Sequence, residues 1–490
     1  MINSLVLNNY NLVSGIFLLT FLSFLLFFAY RFYQTERHTL SLLLIFLFGF
    51  ICRIFVSLFP NLHSWDERFH ALAAKNISAC YPFPFLYKNH FIVWNTNDWM
   101  LEKVWVHKPP MLSYIISASI SVLGNTAFAV RFPTILISSF LVVVIYAIAF
   151  ELFKNRFVAI VSAFLLAING FIIELSGGLL PTDHYDVFLM CFSTIAIYFL
   201  IRNINKRKVW NYIYAGLFIA LAFNTKLFTS LFIFYVLLFI DLVVSKLSVG
   251  NSIKNLGVTL AVFLAITLPS TYLTQLYSSG AFLGSFYELL NHATKVYDQG
   301  GAWYFYLDKI RINYGEGIYI YLIAALVYFF YNRKDTRFLL ILSWIVIPIL
   351  IFSLSETKMP GYILISSPAI LILYGFIASW LRDNYKDRFF NWFIIITIFV
   401  LPLRYTLERV KPFTNYTKMY KDHRIYLEGL KKLDEKSIVV NDQRSIETMY
   451  FSNATSYNYY ASSKEVDSLK KQGFSVYEVL IGDKFIIKQY

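Results

Sequence analysis

Charge is scarce in this chain. Only 15% of its 490 residues are charged, whereas 58% are hydrophobic, and soluble enzymes carry a charged share nearer a quarter. This balance excludes an ordinary soluble protein and predicts a polytopic membrane protein. The aromatic share of 19% is typical of lipid-facing helices and of aromatic belts at membrane surfaces.

Cysteine is also scarce, and a nucleotide-binding loop is missing from the sequence. Cys52, Cys80 and Cys191 are too few and too scattered for a disulfide framework or a thiolate metal site. Without a glycine-rich phosphate loop, no nucleotide cofactor is expected. The net charge of +14 sits mostly in short loops between apolar runs, where membrane orientation explains it. A nucleic-acid partner is therefore not expected.

About twelve apolar runs are long enough to span a membrane, which takes roughly 20 helical residues. The run at 110–124 is shorter, and its Ser113, Ser117 and Ser121 form a polar seam along one side of a helix. We predict that this helix lies in the membrane interface. The predicted spans lie at about 12–33, 39–59, 127–150, 157–175, 183–202, 209–223, 227–247, 256–277, 317–331, 337–354, 361–381 and 388–404.

The basic loops predict the orientation. If 110–124 does not cross, the loops rich in Lys and Arg all fall on one side, which is the cytoplasm by the positive-inside rule. The extracytoplasmic side then holds the loops 60–126 and 278–316 and the tail. Domain boundaries follow, with a transmembrane domain at 1–405 and a small soluble α/β domain at 406–490. Within the tail we predict strands at 437–440, 475–480 and 484–488 and helices at 445–460 and 464–472.

Two adjacent carboxylates, Asp66 and Glu67, precede a predicted helix at 68–79. Acidic residues favour helix N-termini, so capping alone would explain the pair. The functional interpretation is that Asp66 removes a proton from an acceptor hydroxyl or amine, while Glu67 tunes it or helps to hold a metal ion. The two residues alone do not choose between these alternatives.

A second motif, His107-Lys108-Pro109-Pro110, places a cation before a fixed backbone. Two prolines suit the first turn of a helix, so the Lys108 ammonium is aimed at a defined place and can bind a phosphate as a point charge. The alternative is a lysine that only reaches the lipid headgroups. His107 is equally compatible with a metal ligand, a phosphate contact or an ordinary interface residue.

Other ionisable residues stand at the predicted outer ends of spans. Arg131 is a second candidate phosphate ligand, with snorkelling to the headgroups as its alternative. Asp183 is a candidate site residue or a helix cap. Lys358 lies shortly before a proline that opens a span, much as Lys108 precedes the prolines that open the interfacial helix. We therefore expect these three cations to converge on one anion.

The loop 278–316 contains a further candidate, His292, and two glycines beside an aromatic cluster. Glycines next to aromatic anchors predict a mobile lid at the membrane surface. An ordinary aromatic belt explains the same pattern.

Taken in order, these motifs carry a resemblance. They are Trp65-Asp66-Glu67, His-Lys-Pro-Pro at 107–110, Ala-Val-Arg-Phe-Pro at 129–133, Pro-Thr-Asp at 181–183 and Lys-Met-Pro-Gly-Tyr at 358–362. From about residue 40 to 405 the chain resembles polyprenyl-phosphate-dependent membrane glycosyltransferases of the GT-C fold. Within that fold it resembles specifically the bacterial relatives of the protein O-mannosyltransferases and of the lipid A aminoarabinose transferase.

The resemblance implies an all-α polytopic GT-C fold and an inverting sugar transfer. The donor would be a polyprenyl phosphate, commonly undecaprenyl phosphate, and the acceptor a lipid or protein outside the cytoplasm of a bacterial inner membrane. By motif position Asp66 looks like the catalytic carboxylate, with Glu67 beside it. The donor phosphate would be bound by Lys108, Arg131, Lys358 and Tyr362, and Asp183 matches a second acidic position.

One departure concerns a metal ion. The aminoarabinose transferase has a metal-binding Glu where this chain has His107, so a divalent cation is a candidate cofactor rather than an implied one. A lipid or solute transporter is the main alternative function, since about twelve spans with buried charges fit it too. Transporters usually show internal repeats and charges near the membrane centre, whereas these charges gather at one face. A binding or assembly protein with a degenerate site is a third possibility.

Overall fold

The computed structural model describes residues 12–79, 84–87, 91, 104–105, 108–180, 184–277, 281–296, 299–385, 387–480 and 486–490. These residues are mainly helical, with one four-stranded sheet towards the C-terminus. Their helices are Leu12–Gln34, His38–Ser57, Asp66–Ala79, Met111–Leu123, Ala127–Phe153, Arg156–Ala167, Gly170–Ser176, His184–Asn205, Val209–Lys226, Leu227–Leu231, Phe232–Phe239, Ile240–Val244, Val249–Tyr277, Ala281–Thr294, Phe305–Tyr314, Gly317–Tyr331, Thr336–Ser353, Pro360–Ser366, Ser367–Asn384, Arg388–Ile395, Ile396–Val400, Leu401–Val410, Thr417–Leu430, Ser445–Phe451 and Ser463–Lys471.

Length and composition make this chain an integral membrane protein. Nine of the described helical segments are long and apolar enough to cross a membrane. Two bent pairs, Arg156–Ala167 with Gly170–Ser176 and Phe305–Tyr314 with Gly317–Tyr331, bring the number to eleven if each pair is one span.

One of the nine segments, Val209–Val244, folds back on itself. Its Tyr212 hydroxyl donates a hydrogen bond of 2.8 Å to Asp241, 29 residues further on, whereas a straight helix of that length would separate them by about 44 Å. The reversal follows Lys226, where Leu227 has a φ of 43°. The segment is therefore two antiparallel spans, and the described residues agree with the prediction of about twelve.

The helix Met111–Leu123 has only 13 residues and is too short to cross a hydrocarbon core. Two residues of its serine seam, Ser113 and Ser117, are buried, and the helix packs against Asp66–Ala79. The prediction that this run does not span is confirmed for length. The burial of the seam shows that its polar side faces protein.

The contacts divide the chain into two compact units. The first combines Met1–Leu18, Ser57–Pro133 and Pro412–Tyr490, and the second combines Leu19–Val56 and Thr134–Lys411. The sequence predicts a separate domain for the tail after residue 405. A boundary between the two units does fall close to that point, between Lys411 and Pro412. The tail, however, shares its unit with the segment that carries Asp66 and Lys108.

A hydrophobic core in this first unit joins the helix Asp66–Ala79 to the C-terminal segment. The helix Asp66–Ala79 contributes Phe69, Leu72 and Ala73, and Trp105 adds the largest side chain. Leu86 and Tyr87 belong to this core as well, and the C-terminal segment contributes Ile438, Val440, Ile446, Met449, Tyr457, Val466, Leu469 and Val476. Burying an apolar side chain of this size stabilises a fold by about 1.5–3 kcal/mol. The tail is therefore held to the helix Asp66–Ala79 by apolar packing as well as by the covalent chain.

The C-terminal sheet has the strand order β2-β1-β3-β4, with β1 Ser437–Val440, β2 Thr455–Ser456, β3 Ser475–Leu480 and β4 Ile486–Gln489. β1 is parallel to β2 and β3, and β3 pairs antiparallel with β4. Three strands and the helix Ser463–Lys471 agree with the sequence prediction. The predicted helix at 445–460 is wrong beyond Phe451, because residues 455–456 join the sheet as β2.

In the second unit a buried arginine occupies the break between Arg156–Ala167 and Gly170–Ser176. The Arg53 side chain is fully buried and donates to the carbonyls of Leu166 and Ala167, each at 3.2 Å. The last carbonyls of a helix lack intrahelical partners and carry partial negative charge. The guanidinium therefore caps this helix end where the span bends.

Candidate functional site

Asp66 and Lys108 form an ion pair in the first unit. The Lys108 Nζ lies 2.8 Å from Asp66 Oδ2, and both side chains are 15% exposed. Asp66 begins the helix Asp66–Ala79, which we call the carboxylate helix, and Lys108 precedes the prolines that open Met111–Leu123. Among the described residues the other oxygen of Asp66, Oδ1, accepts no hydrogen bond. The ion pair is thus partly exposed, and the Oδ1 atom of Asp66 can accept a further hydrogen bond.

Glu67 is held very differently from its neighbour. Its Oε1 lies 2.7 Å from Arg131 Nε, and its Oε2 accepts from Arg131 Nη2 at 2.9 Å and from the His63 backbone N–H at 2.6 Å. The Arg131 side chain is fully buried, and that of Glu67 is 4% exposed. A bidentate pair of this kind fixes the orientation of both the guanidinium and the carboxylate. The Glu67 side chain therefore has a defined position.

The remaining donors of Arg131 hold the loop that leads into the carboxylate helix. Its Nη1 donates to the carbonyls of Ser57, at 3.1 Å, and Phe59, and its Nη2 donates to that of Asn61 at 2.6 Å. A guanidinium has five N–H donors, and all five are used here. The prediction that Arg131 binds the donor phosphate gains no support from these contacts, which favour a role in positioning Glu67 and residues 57–61.

His63 sits in the turn before the carboxylate helix, and the sequence analysis did not single it out. Its Nδ1 accepts from the Trp65 backbone N–H at 3.2 Å. Burial lowers the pKa of His63, although the negative charge of Glu67 acts in the opposite direction. A neutral imidazole with an accepting Nδ1 therefore shapes the turn that presents Asp66.

Lys358 lies in the second unit and is 4% exposed. Its Nζ donates to the carbonyl of Ser355 at 2.5 Å, the one hydrogen bond that the side-chain ammonium makes to described residues. Because a lysine ammonium has three donors, two remain for another ligand. A buried, incompletely paired cation is costly, and this favours the prediction that it meets an anion.

The segment around His292 is joined to the loop that carries Lys358. The His292 carbonyl accepts from the Thr357 N–H at 3.0 Å and from the Ser355 hydroxyl at 2.8 Å. The Lys358 N–H donates to Gln299 at 2.9 Å. His292 thus belongs to a backbone strap beside Lys358, whereas a role for its ring stays a prediction.

Tyr362 also lies in the second unit, beside an ion pair that the sequence analysis did not place in the site. Lys226 pairs with Asp186, whose side chain is 4% exposed, and the Lys226 ammonium lies 5.0 Å from the centre of the Tyr362 ring. Ionisable residues at span ends are the signal that would have selected the pair. The structure thus describes Asp66, Glu67, Lys108 and Arg131 together in one unit, and Lys358, Tyr362 and His292 in the other.

His107 and Asp183 lie outside the described residues. Among the residues that the structure does describe, no group of three or more His, Cys, Asp or Glu side chains could hold a metal ion. Asp66 and Glu67 are instead paired with cations. The described donors therefore do not fit a metal ion.

Sequence comparisons relate the chain to lipid-dependent glycosyltransferases. Residues 107–272 match the family described as dolichyl-phosphate-mannose-protein mannosyltransferase, a range that includes Lys108 and Arg131. The undecaprenyl phosphate-alpha-4-amino-4-deoxy-L-arabinose arabinosyl transferase of Wigglesworthia glossinidia brevipalpis is 25% identical over 54% of this chain and 48% of its own length. Its Pseudomonas fluorescens counterpart is 23% identical over 56% and 50%. The matches therefore span about half the length of these relatives.

Solved structures with the same fold cover more of the chain. The crystal structure of ArnT from Cupriavidus metallidurans bound to undecaprenyl phosphate has a TM-score of 0.65 at 14% identity, covering 89% of this chain and 92% of that one. The Archaeoglobus fulgidus oligosaccharyltransferase complex with Zn and sulfate has a TM-score of 0.53 at 12% identity, covering 89% and 68%. Together these findings confirm the GT-C fold and the resemblance predicted from the motifs.

Proposed function

We propose that this chain, a GT-C membrane protein related to polyprenyl-phosphate-dependent glycosyltransferases, transfers a sugar from a polyprenyl phosphate to a lipid or protein acceptor. The observation that carries the proposal is the Asp66–Lys108 pair, in which the two charges lie 2.8 Å apart and one oxygen of Asp66 accepts no hydrogen bond within the described part of the chain. A carboxylate beside a cation is what such a displacement requires, because one step moves a proton and releases an anion.

The reaction balances with these two groups. The acceptor oxygen or nitrogen forms a bond to the anomeric carbon, while the bond from that carbon to the phosphate oxygen breaks. The acceptor's proton passes to Asp66, and the polyprenyl phosphate departs with the bonding electrons. Lys108 stabilises the charge that develops on this leaving group. A single displacement inverts the anomeric carbon, so an inverting enzyme is expected.

Glu67 and Arg131 position these reacting groups and do not react themselves. Their bidentate pair and the carbonyls of residues 57–61 fix the start of the carboxylate helix, and hence the direction of Asp66. Small displacements of a reacting group lower rates strongly. Lys358 is proposed as a further ligand of an anionic donor group, since its buried ammonium has two donors to offer.

The substrates and the membrane face are proposed from separate observations. The names of the curated relatives make an undecaprenyl-phosphate-linked aminopentose the first donor to test. The basic loops between the apolar runs support an extracytoplasmic site in a bacterial inner membrane. The acceptor, a glycolipid or a protein hydroxyl, has to present a group that can give up a proton to Asp66.

A transfer assay tests the proposal. The purified full chain is incubated with radiolabelled undecaprenyl-phosphate aminopentose and membrane lipids or envelope proteins, and label in the products is counted. We expect transfer by the wild type, at least a 100-fold loss in Lys108→Met, and no loss in Lys334→Met, which alters an exposed lysine. Movement of the labelled lipid across vesicles without any transfer would instead favour a transporter.

A further inference from the structure

The residue after the two carboxylates contacts the C-terminal segment, residues 412–490. Arg68 Nη1 lies 3.5 Å from Glu447 Oε2, with side chains 18% and 4% exposed. Glu447 stands in the first turn of the helix Ser445–Phe451, which we call the Glu447 helix. Burial raises the pKa of Glu447, and the positive charges of Arg68 and Arg444 oppose that rise. The carboxylate therefore depends on these cations to stay charged.

A second polar contact attaches the other end of the Glu447 helix. Lys75, two turns along the carboxylate helix from Arg68, donates to the carbonyl of Met449 at 2.8 Å and to that of Ser452. Carbonyls at a helix C-terminus favour a cation. Because the two helices are joined at both ends, their direction is fixed as well as their separation.

Apolar packing fills the space between these two contacts. Phe69, Leu72 and Ala73 of the carboxylate helix share a core with Ile446 and Met449 of the Glu447 helix. Close-packed cores transmit displacements, because their side chains have little room to adjust. A shift of the Glu447 helix would therefore move the carboxylate helix with it.

The C-terminal segment also contacts the two stretches that flank Arg131 and its loop. The Tyr420 hydroxyl donates to the carbonyl of Leu58 at 2.9 Å, within the loop 57–61. The Tyr450 hydroxyl donates to the carbonyl of Thr126 at 3.0 Å, directly before the helix that carries Arg131. The tail therefore contacts the loop 57–61, which Arg131 holds, and the residue that precedes the helix carrying Arg131.

We infer that the C-terminal segment 412–490 positions Asp66 for transfer, and that Glu447 and Lys75 are the positioning residues through which it does so. The inference rests on the proposed function and adds a role that lies outside the reacting groups. It also explains why the tail shares a core with the carboxylate helix. A separate binding module would need a surface free to meet its ligand, and would not need these contacts.

The test uses the full chain with a double variant, Glu447→Gln with Lys75→Met. Its control, Glu428→Gln with Lys432→Met, makes the same chemical changes at exposed tail residues. Transfer kinetics are corrected for the folded fraction, and amide hydrogen exchange is followed across Asp66–Ala79. We expect kcat to fall about tenfold with the donor KM changed less than twofold, and amide exchange to quicken only in the double variant.

Each outcome separates the inference from the proposed function. An active wild type whose double variant keeps its kcat and its exchange rates would overturn the inference. A wild type without transfer would overturn the proposed function, while the exchange rates would still test the attachment. If the double variant does not fold, Glu447→Gln alone serves, with an expected threefold loss of kcat. A loss confined to the folded fraction, with kcat per folded molecule unchanged, would assign these residues a purely structural role.

Discussion

Arg131 holds Glu67 through two hydrogen bonds of 2.7 and 2.9 Å and uses its other three donors on backbone carbonyls. Next to this saturated pair, Asp66 pairs with Lys108, and its Oδ1 accepts no hydrogen bond from any residue that the structure describes. Two carboxylates adjacent in sequence therefore have different surroundings, since Glu67 is fixed by its contacts, and Asp66 is the one that we propose meets the substrate.

Replacing Glu67 should chiefly affect stability. In Glu67→Gln the buried Arg131 loses its counter-charge, and removing one partner of a buried ion pair costs about 3–5 kcal/mol. We expect a clear drop in the melting temperature of the detergent-solubilised protein. The control is Glu428→Gln, because that side chain is 53% exposed and should melt like the wild type. An unchanged melting temperature in Glu67→Gln would contradict the positioning role.

Arg131→Lys keeps the charge and removes the planar fork. A lysine has three donors and cannot bind a carboxylate side-on through two parallel bonds, so at least two of the five contacts are lost. We expect both a lower melting temperature and about a tenfold loss of kcat, with little change in the donor KM. A rise in the donor KM alone would instead identify Arg131 as a phosphate ligand. Arg424→Lys, in an exposed pair, is the matched control.

Lys358→Met tests whether the buried ammonium binds an anion. The substitution removes a buried charge that has one hydrogen bond among the described residues, so stability should be unchanged or slightly higher. We expect the KM for the polyprenyl-phosphate donor to rise about tenfold. Lys334→Met should leave it unchanged. A Lys358→Met protein with the wild-type KM would remove this residue from the donor site.

Acid should destabilise the C-terminal segment through His423. Burial, together with the positive charges of Arg444 and Arg131, lowers the pKa of this side chain to about 4. The unfolded chain binds the proton near pH 6.5, so this contribution to stability is complete above about pH 6.5 and is lost as the pH falls towards 4. Its full size is about 3 kcal/mol.

The measurement for His423 is the melting temperature between pH 7 and 5. We expect it to fall less in His423→Leu than in the wild type, because leucine is uncharged at every pH. Carboxylates that titrate in the same range are common to both proteins, and the difference between them isolates His423. Equal slopes for the two proteins would show that this histidine does not control the acid response.

Periodicity and apolar length predicted much of the fold. The spans, the short helix at Met111–Leu123 and the start of a helix beside Asp66 follow from residues adjacent in sequence. The helix predicted at 445–460 failed beyond Phe451, because pairing with β1 outweighs local helix preference at residues 455–456. No local pattern showed that the tail shares a core with the carboxylate helix, since that contact joins residues almost 400 positions apart.

The sequence predicted which residues belong to the site, but not which of them pair with each other. Motif order selected Asp66, Glu67, Lys108 and Arg131, and the structure describes all four in one unit. Which carboxylate pairs with which cation depends on side-chain geometry, and only the contacts show that Arg131 has no donor left for a phosphate. Lys226 was missed because its partner Asp186 is 40 residues away.

The most direct measurement is the single-turnover rate of sugar transfer in Asp66→Asn, compared with Glu151→Gln. Asparagine keeps the shape of the side chain but cannot accept the acceptor's proton, and positioned general bases contribute about 100- to 10,000-fold. Glu151 belongs to a surface pair with Lys154 and makes the matched change elsewhere. We predict a loss of at least 100-fold in Asp66→Asn with donor binding retained, and wild-type rates in Glu151→Gln. Full transfer by Asp66→Asn would contradict the assignment of Asp66 as the catalytic base.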